Sequence, residues 1–314
     1  GGVCYVDNDE FNQSHIKVKW YNEKGEIIFW EFLTPLHLQN TWQEYYHKVF
    51  SPKGAVEASI VCYSHAFEAK SYFDNLIFEE STPNPDNIVL DYHFDNVNDY
   101  YMADYSGFGH YARGVYFDPE FYVATPSGRS IEFIEEVPLY FYTFRSESLN
   151  PRSNFKIEMV FWLDGLPENG IMNLVDYGVS GTDYNSLYRY KIFINEKGEI
   201  YFNLRTNKGI CSVGGQLVSK TECHWVEAGY NQDKNEVYIR VRHAPQGGLP
   251  KIYQTNSISQ LKVEERKKEL KEEEKPVPAG IYNCLFIGRG GPYEHKKKVN
   301  NFLGVMERLR IYNN

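Results

Sequence analysis

Carboxylates are the first side chains in this sequence whose spacing suggests chemistry. Glu132 and Glu136 lie four apart in Ile131-Glu-Phe-Ile-Glu-Glu-Val137, a separation that places both on one face of an extended strand. Two carboxyls about 5 Å apart act as acid and nucleophile in glycoside cleavage. Here, however, no Asp stands between them. Asp164 in Leu-Asp-Gly and Asp176 in Val-Asp-Tyr-Gly occupy turn sequences, where Asp normally serves the backbone. The nine histidines are scattered, and none accompanies a Gly-x-Ser-x-Gly elbow. Gly288-Arg-Gly-Gly291 reads as a turn rather than a phosphate loop, because no convincing helix follows it. No reaction is legible in these residues, and the chain is expected not to be an enzyme.

The elements that would position a site are strands. Among 314 residues there are 26 Tyr and 20 Phe, and aromatic side chains suit half-buried pleated surfaces. The expected class is all-β. A net charge of −9 argues against nucleic acid, which needs clustered Lys and Arg, and Lys296-Lys297-Lys298 is too short a cluster to change that. No apolar run reaches the roughly 18 residues that cross a bilayer. The start, Gly1-Gly-Val-Cys-Tyr-Val-Asp7, lacks the charged and apolar regions of a signal peptide, so an export signal would precede it. Cys4, Cys62, Cys211, Cys223 and Cys284 follow no C-x-x-C spacing, which disfavours a zinc site of that type. Two bridges plus one thiol, or five buried thiols, both fit.

Glu80-Ser-Thr-Pro-Asn-Pro-Asp-Asn87 is linker chemistry and divides the chain into expected domains 1–83 and 84–314. In the first, His15-Ile-Lys-Val-Lys-Trp20 alternates apolar and polar, Asn22-Glu-Lys-Gly25 turns the chain, and Ile27–Leu33 returns. In the second, 155–161, 190–194, 199–204, 225–230 and 236–242 have the same period. The hexapeptide Asn-Glu-Lys-Gly-Glu-Ile occurs at both 22–27 and 195–200 and reads as one hairpin turn used twice. The mixed-charge stretch 262–275 breaks the pattern and is expected to be an inserted helix or loop.

Several short motifs occur in a familiar order. Leu90-Asp-Tyr-His-Phe-Asp95, Asp104-Tyr-Ser-Gly-Phe-Gly-His110 and Gly128–Phe133 stand at one end, with Leu285–Arg289 and Phe302–Tyr312 at the other. Residues 88–314 thereby resemble laminin-G-like members of the concanavalin A-like lectin/glucanase superfamily. The resemblance implies a sandwich in which Gly128–Phe133 is a non-catalytic strand, and it lacks the Glu-x-Asp-x-(x)-Glu of the catalytic members. Residues 1–82, with Trp42, Pro52-Lys-Gly-Ala55 and Tyr72-Phe-Asp-Asn-Leu-Ile-Phe78, resemble the later half of a jelly-roll carbohydrate-binding module. Its leading strands lack a counterpart before Ile16. They lie upstream, come from another chain, or are replaced by packing against the second domain.

Both resemblances imply a structural Ca²⁺ held by hard oxygen ligands. The mapped residues are Asp74 in the first domain and Asp104 with the Gly107 carbonyl in the second; alternatively, Asp104 only caps its turn. They also imply sugar stacking on exposed rings. Trp20, Trp30, Trp42, Trp162 and Trp225 fall on or beside strands, where core packing is the default. Tyr100, Tyr101, Tyr105, Tyr177, Tyr184 and Tyr188 fall in turns and are the candidate carbohydrate-binding residues. The resulting expectation is an extracellular or cell-surface protein that binds glycan or adheres without catalysis. The alternative is a structural subunit of a surface layer or filament, in which neighbouring copies donate a strand to the incomplete first sandwich.

Overall fold

The computed structural model describes residues 2–6, 13–36, 41–65, 70–80, 86–98, 101–125, 128–151, 154–179, 188–220, 222–245, 262–276, 283–289 and 299–313. Strands dominate, and among the described residues the only helical pieces are 3-10 turns at Pro119–Phe121 and Glu147–Leu149. The all-β expectation holds. Among the described residues no helix is long and apolar enough to cross a membrane.

Residues 2–74 form two three-stranded antiparallel sheets. In one, β1 (Gly2–Val6) lies between β4 (Trp42–Tyr45) and β6 (Ser71–Asp74). In the other, β2 (Gln13–Tyr21) lies between β3 (Ile27–Leu36) and β5 (Glu57–His65). Cys4 and Ile16 meet Ile60 and Phe73 between the sheets. Val18, Trp20 and Phe29 pack with Val49, Ala55 and Ala58. The short segment before Ile16 is thus not strandless: its Val-Cys-Tyr-Val run supplies the central strand of one sheet.

Seventeen further strands fold over as two facing layers. The front layer runs β7 (Ile88–Asn98), β23 (Gly304–Asn313), β13 (Asn154–Leu163), β18 (Glu222–Asn231), β19 (Glu236–Pro245), β20 (Val263–Glu269). The hairpin β10 (Tyr122–Thr125)–β11 (Gly128–Phe133) joins it along β23. The back layer runs β9 (Ala112–Val115), β12 (Tyr140–Phe144), β21 (Asn283–Ile287), β14 (Ile171–Val179), β15 (Tyr190–Asn195), β16 (Glu199–Thr206), β17 (Gly209–Leu217). β8 (Tyr101–Asp104) pairs with both β7 and β9 and links the layers, while β22 (Val299–Asn300) runs parallel to β14.

Alternate residues of both layers point into one core, where Ile157, Phe161, Val226 and Ile239 from the front meet Ile192, Phe202 and Leu285 from the back. The two ends of the sequence are neighbours in it, with Arg308 opposite His93 and Ile311 opposite Leu90.

The charged stretch 262–275 departs from expectation. It is neither helix nor free loop, because residues 263–269 form the edge strand β20. Its charges meet partners across the register: Arg240 Nε is 2.6 Å from Glu265 and Lys267 Nζ is 3.3 Å from Glu236. Polar residues at an outermost strand also discourage further pairing. All five cysteines are free thiols, four of them buried.

β3 packs against the larger sandwich at β12. The Arg145 guanidinium lies 4.3 Å over both Phe29 and Trp30 and donates to the Trp30 carbonyl. The Lys48 amide donates to the Phe108 carbonyl at 3.2 Å.

Candidate functional site

Alternation along β1 sends Cys4 inward and Tyr5 to the other face of its sheet. Tyr5 stands directly opposite Trp42 on one side and Tyr72 on the other. Their ring centroids are 5.6 Å and 6.0 Å apart, within the range of interacting aromatic pairs. Trp42 is 53% exposed and Tyr72 47%. A row of three rings on three adjacent strands therefore faces outward. Trp42 thus departs from the core packing expected by default of a strand Trp, and neither Tyr5 nor Tyr72 is among the candidate tyrosines. Their meeting depends on register between segments some seventy residues apart.

The outer face of the front layer is a second surface, and it is charged. A straight cross-strand row contains Asp91, Arg310, Glu158, Glu227, Arg240 and Glu265. Arg308 grips Asp91 with both ends of its fork, at 3.0 and 2.9 Å, and Arg310 Nε stands 3.0 Å from the same carboxylate. Glu158 accepts from Tyr312 and Lys156, each at 2.7 Å, and Glu227 from Arg240 at 2.5 Å. In the next row Arg242 lies 4.1 Å over Trp225, and its buried Nε and Nη1 meet no hydrogen-bond partner among the described residues. Trp162 and Trp225 belong to this face and not to the main core.

The tyrosines named from sequence do not converge. Tyr105 is exposed at the rim of the charged face, 4.7 Å from the His93 ring and bonded to Asn96 at 3.0 Å. Tyr101 is half-buried on β8. Tyr188 belongs to the back layer, accepting from Asn203 at 3.0 Å beside Lys191. Tyr177 is corrected: it is 0% exposed on the inner face of β14, 5.1 Å from Tyr190, with its hydroxyl donating to the Ser146 carbonyl at 3.2 Å. Burial drives its hydroxyl pKa upward. Tyr100 and Tyr184 lie outside the described residues.

The calcium assignment fails a fit test on Asp104. Its carboxylate accepts from the amides of Asp91, Ser106 and His110 at 2.9, 3.0 and 2.9 Å, and from the Ser106 hydroxyl at 2.8 Å. A shell of N–H and O–H donors is built for the anion itself, and a cation requires oxygen acceptors in their place. Asp104 caps the turn in which Gly107 adopts φ 81°. Asp74 is exposed and accepts from the Asn75 amide at 2.8 Å.

His110 Nε2 lies 2.6 Å from Ser148 Oγ, a nucleophile-like pairing, but Ser148 is fully buried and out of reach of a substrate. Burial also pushes His110 down to about 3, so it stays neutral at physiological pH.

No family model matches the chain, and no curated protein matches its sequence. The laminin-G-like resemblance rests on its motifs alone. Solved structures do match. The sialidase CBM40 of Ruminococcus gnavus bound to α2,3 sialyllactose is 13% identical over 52% of this chain and 78% of its own, with a TM-score of 0.38. Trypanosoma rangeli sialidase in complex with sialic acid is 12% identical over 74% of this chain and 32% of its own, with a TM-score of 0.45. A leech intramolecular trans-sialidase is 15% identical over 52% of this chain and 22% of its own, with a TM-score of 0.35. At such scores the likeness assigns neither ligand nor reaction to this chain.

The expectation that the chain is no enzyme is nevertheless corrected, since the structures it resembles include enzymes. Carboxylates need not share a strand to be neighbours: Glu158 and Glu227 face each other across β13 and β18, each held by its own donors. Directly opposed residues have Cβ atoms about 4.5–5.5 Å apart, and no sequence spacing reveals such a pair.

Proposed function

We propose that this chain is a glycan-binding protein acting outside the cell or at its surface, with the Trp42–Tyr5–Tyr72 row as its sugar-stacking surface. The row itself carries this reading. Three neighbouring rings on one sheet face, two of them about half exposed, form an apolar strip that a purely structural sheet would cover. Aromatic rings supply flat area with few rotors to freeze, which suits the apolar faces of pyranoses.

Affinity electrophoresis through gels containing neutral and acidic polysaccharides, followed by a glycan array, tests it. The wild-type chain is expected to be retarded by at least one polysaccharide. Trp42→Ala and Tyr72→Ala should each weaken that binding tenfold or more while leaving the fold intact by circular dichroism. Full retention of binding in both variants, or no binding by the wild type, removes the reading.

A second reading is a structural subunit built from copies of the chain. It is favoured by the exposed Leu76, Ile77 and Phe78 just after β6 and by the outer strands of both small sheets, which pair with no further strand among the described residues. Light scattering separates the two, with polymers under this reading and a monodisperse species under the first.

A further inference from the structure

The hairpin β18–β19 brings His224 and His243 directly opposite each other, with Glu222 two residues before His224 on the same face. Among the described residues this is the one group of three His, Cys, Asp or Glu side chains gathered closely enough to hold a metal ion. We propose that Glu222, His224 and His243 form a binding site for a borderline divalent cation of the Zn²⁺ type.

Two of the three spacings are those of a coordination shell, and all three ligand atoms lie within 4.8 Å of one another. His224 Nδ1 and His243 Nδ1 are 3.1 Å apart, and His243 Nδ1 is 3.5 Å from Glu222 Oε2. Bonds of about 2.0–2.1 Å in a tetrahedron put neighbouring ligand atoms about 3.3 Å apart. Two facing imidazole nitrogens at this distance repel unless a proton or a cation lies between them.

The surroundings prepare His224 as a ligand. Its Nε2 lies 2.8 Å from the Ser219 carbonyl and 3.2 Å from the Ser219 amide. In the tautomer that donates Nε2–H to that carbonyl, the Nδ1 lone pair is aimed at His243. Metal-bound histidines are typically oriented in this way, through the second ring nitrogen to a carbonyl. The Ser219 hydroxyl donates to Glu222 Oε2 at 3.0 Å and steadies the carboxylate. His224 itself is fixed by burial, with the Phe161 ring at 5.4 Å.

Two nitrogens and one carboxylate oxygen suit zinc and its neighbours, whereas calcium takes six to eight oxygens. Three protein ligands leave a fourth position. Glu222 is 42% exposed in its side chain, so solvent reaches the site from that side.

Isothermal titration of the metal-stripped chain with Zn²⁺ tests the site. One Zn²⁺ per chain is expected, with no response to Ca²⁺. His243→Ala and Glu222→Gln should each weaken binding at least tenfold, and circular dichroism without metal verifies that both still fold. Co²⁺ substitution should give visible bands of a nitrogen–oxygen tetrahedron without near-ultraviolet thiolate absorption, which separates this site from the exposed Cys62. Absence of Zn²⁺ binding by the wild type, affinity unchanged in both variants, or a thiolate spectrum overturns the proposal.

Discussion

The strands of residues 2–74 bury Cys4, Ile16, Val18, Trp20 and Phe29 in two small clusters. Those of residues 88–313 close over a single continuous core in which more than a dozen aromatic and aliphatic side chains are 0% exposed. Among the described residues, most of the exposed large apolar side chains, including Trp42, Val56, Tyr72, Ile77 and Phe78, belong to the first region and the segment that ends it. The same alternating pattern builds both. A three-stranded layer has one interior strand and two edges, so few of its residues are covered from both sides, whereas a six- or seven-stranded layer covers most of them. The first region offsets its small core by leaning on the second through Arg145, Phe29 and Trp30.

Truncating a core residue should expose this inequality most strongly. Phe202→Ala or Ile157→Ala is expected to cost about 2–5 kcal/mol, because both side chains are wholly buried among unyielding neighbours. Ile77→Ala in the first region should stay within about 0.5 kcal/mol. Chemical denaturation monitors both, and similar losses at the two places would abolish the distinction.

The contact between the regions should respond to pH. Glu31 is 1% exposed, and burial first of all pushes its carboxyl from 4.5 to about 7, against the opposing hydrogen bonds from Ser146 and Trp20. The folded chain therefore holds a proton there that the unfolded chain releases. The stability this contributes is fully present below about 4.5 and is lost as pH rises through about 7. The neutral His47 and His110, lowered to about 3 by burial, act in the opposite sense and weaken the fold as pH falls below the usual His value. Comparing Glu31→Gln with wild type cancels the histidines. The variant should gain on the order of 3 kcal/mol over wild type between pH 5 and pH 8. An identical difference at both pH values would show that Glu31 is not buried against the second region.

Much of the architecture was legible because it is local. Ile16, Val18 and Trp20 announce β2 by period two, and the motifs around Leu90 and Ile311 mark strands that do pair. What escaped depends on register. The alternating charges of 263–269 look helical at i, i+4, and only the opposing Glu236 and Arg240 make them an edge strand. The sequence Val-Asp-Tyr-Gly around Tyr177 looks like a turn, yet Tyr190 and Ser146 draw that ring into the core. Trp42 with Tyr5 and Tyr72, Glu158 with Glu227, and His224 with His243 are all cross-strand neighbours. Their proximity is a property of pairing, which residue types and spacings along one strand do not encode.

The repeated hexapeptide allows the finest comparison, since it places one turn in both regions. Asn22 Oδ1 accepts from the amides of Lys24 and Glu26, each at 3.0 Å, and Asn195 Oδ1 accepts from those of Lys197 and Glu199 at 3.0 and 2.9 Å. The Asn side-chain amide donates to the following Glu in both, at 2.9 and 2.7 Å. Gly25 and Gly198 take φ values of 74° and 75°, the left-handed conformation glycine adopts without strain. Local chemistry is thus matched, and Asn22→Ala and Asn195→Ala should each remove about 1 kcal/mol of turn stabilisation. Any difference in outcome then reports the surroundings and not the turn. If the regions unfold as one cooperative unit through the β3–β12 contact, both variants shift the same denaturation midpoint by the same amount. If the small sheets open first, Asn22→Ala moves only an early transition and Asn195→Ala only the main one. Hydrogen exchange resolved by segment distinguishes these outcomes. Equal protection of β2 and β16 in both variants would show that the smaller core is no weaker than the larger.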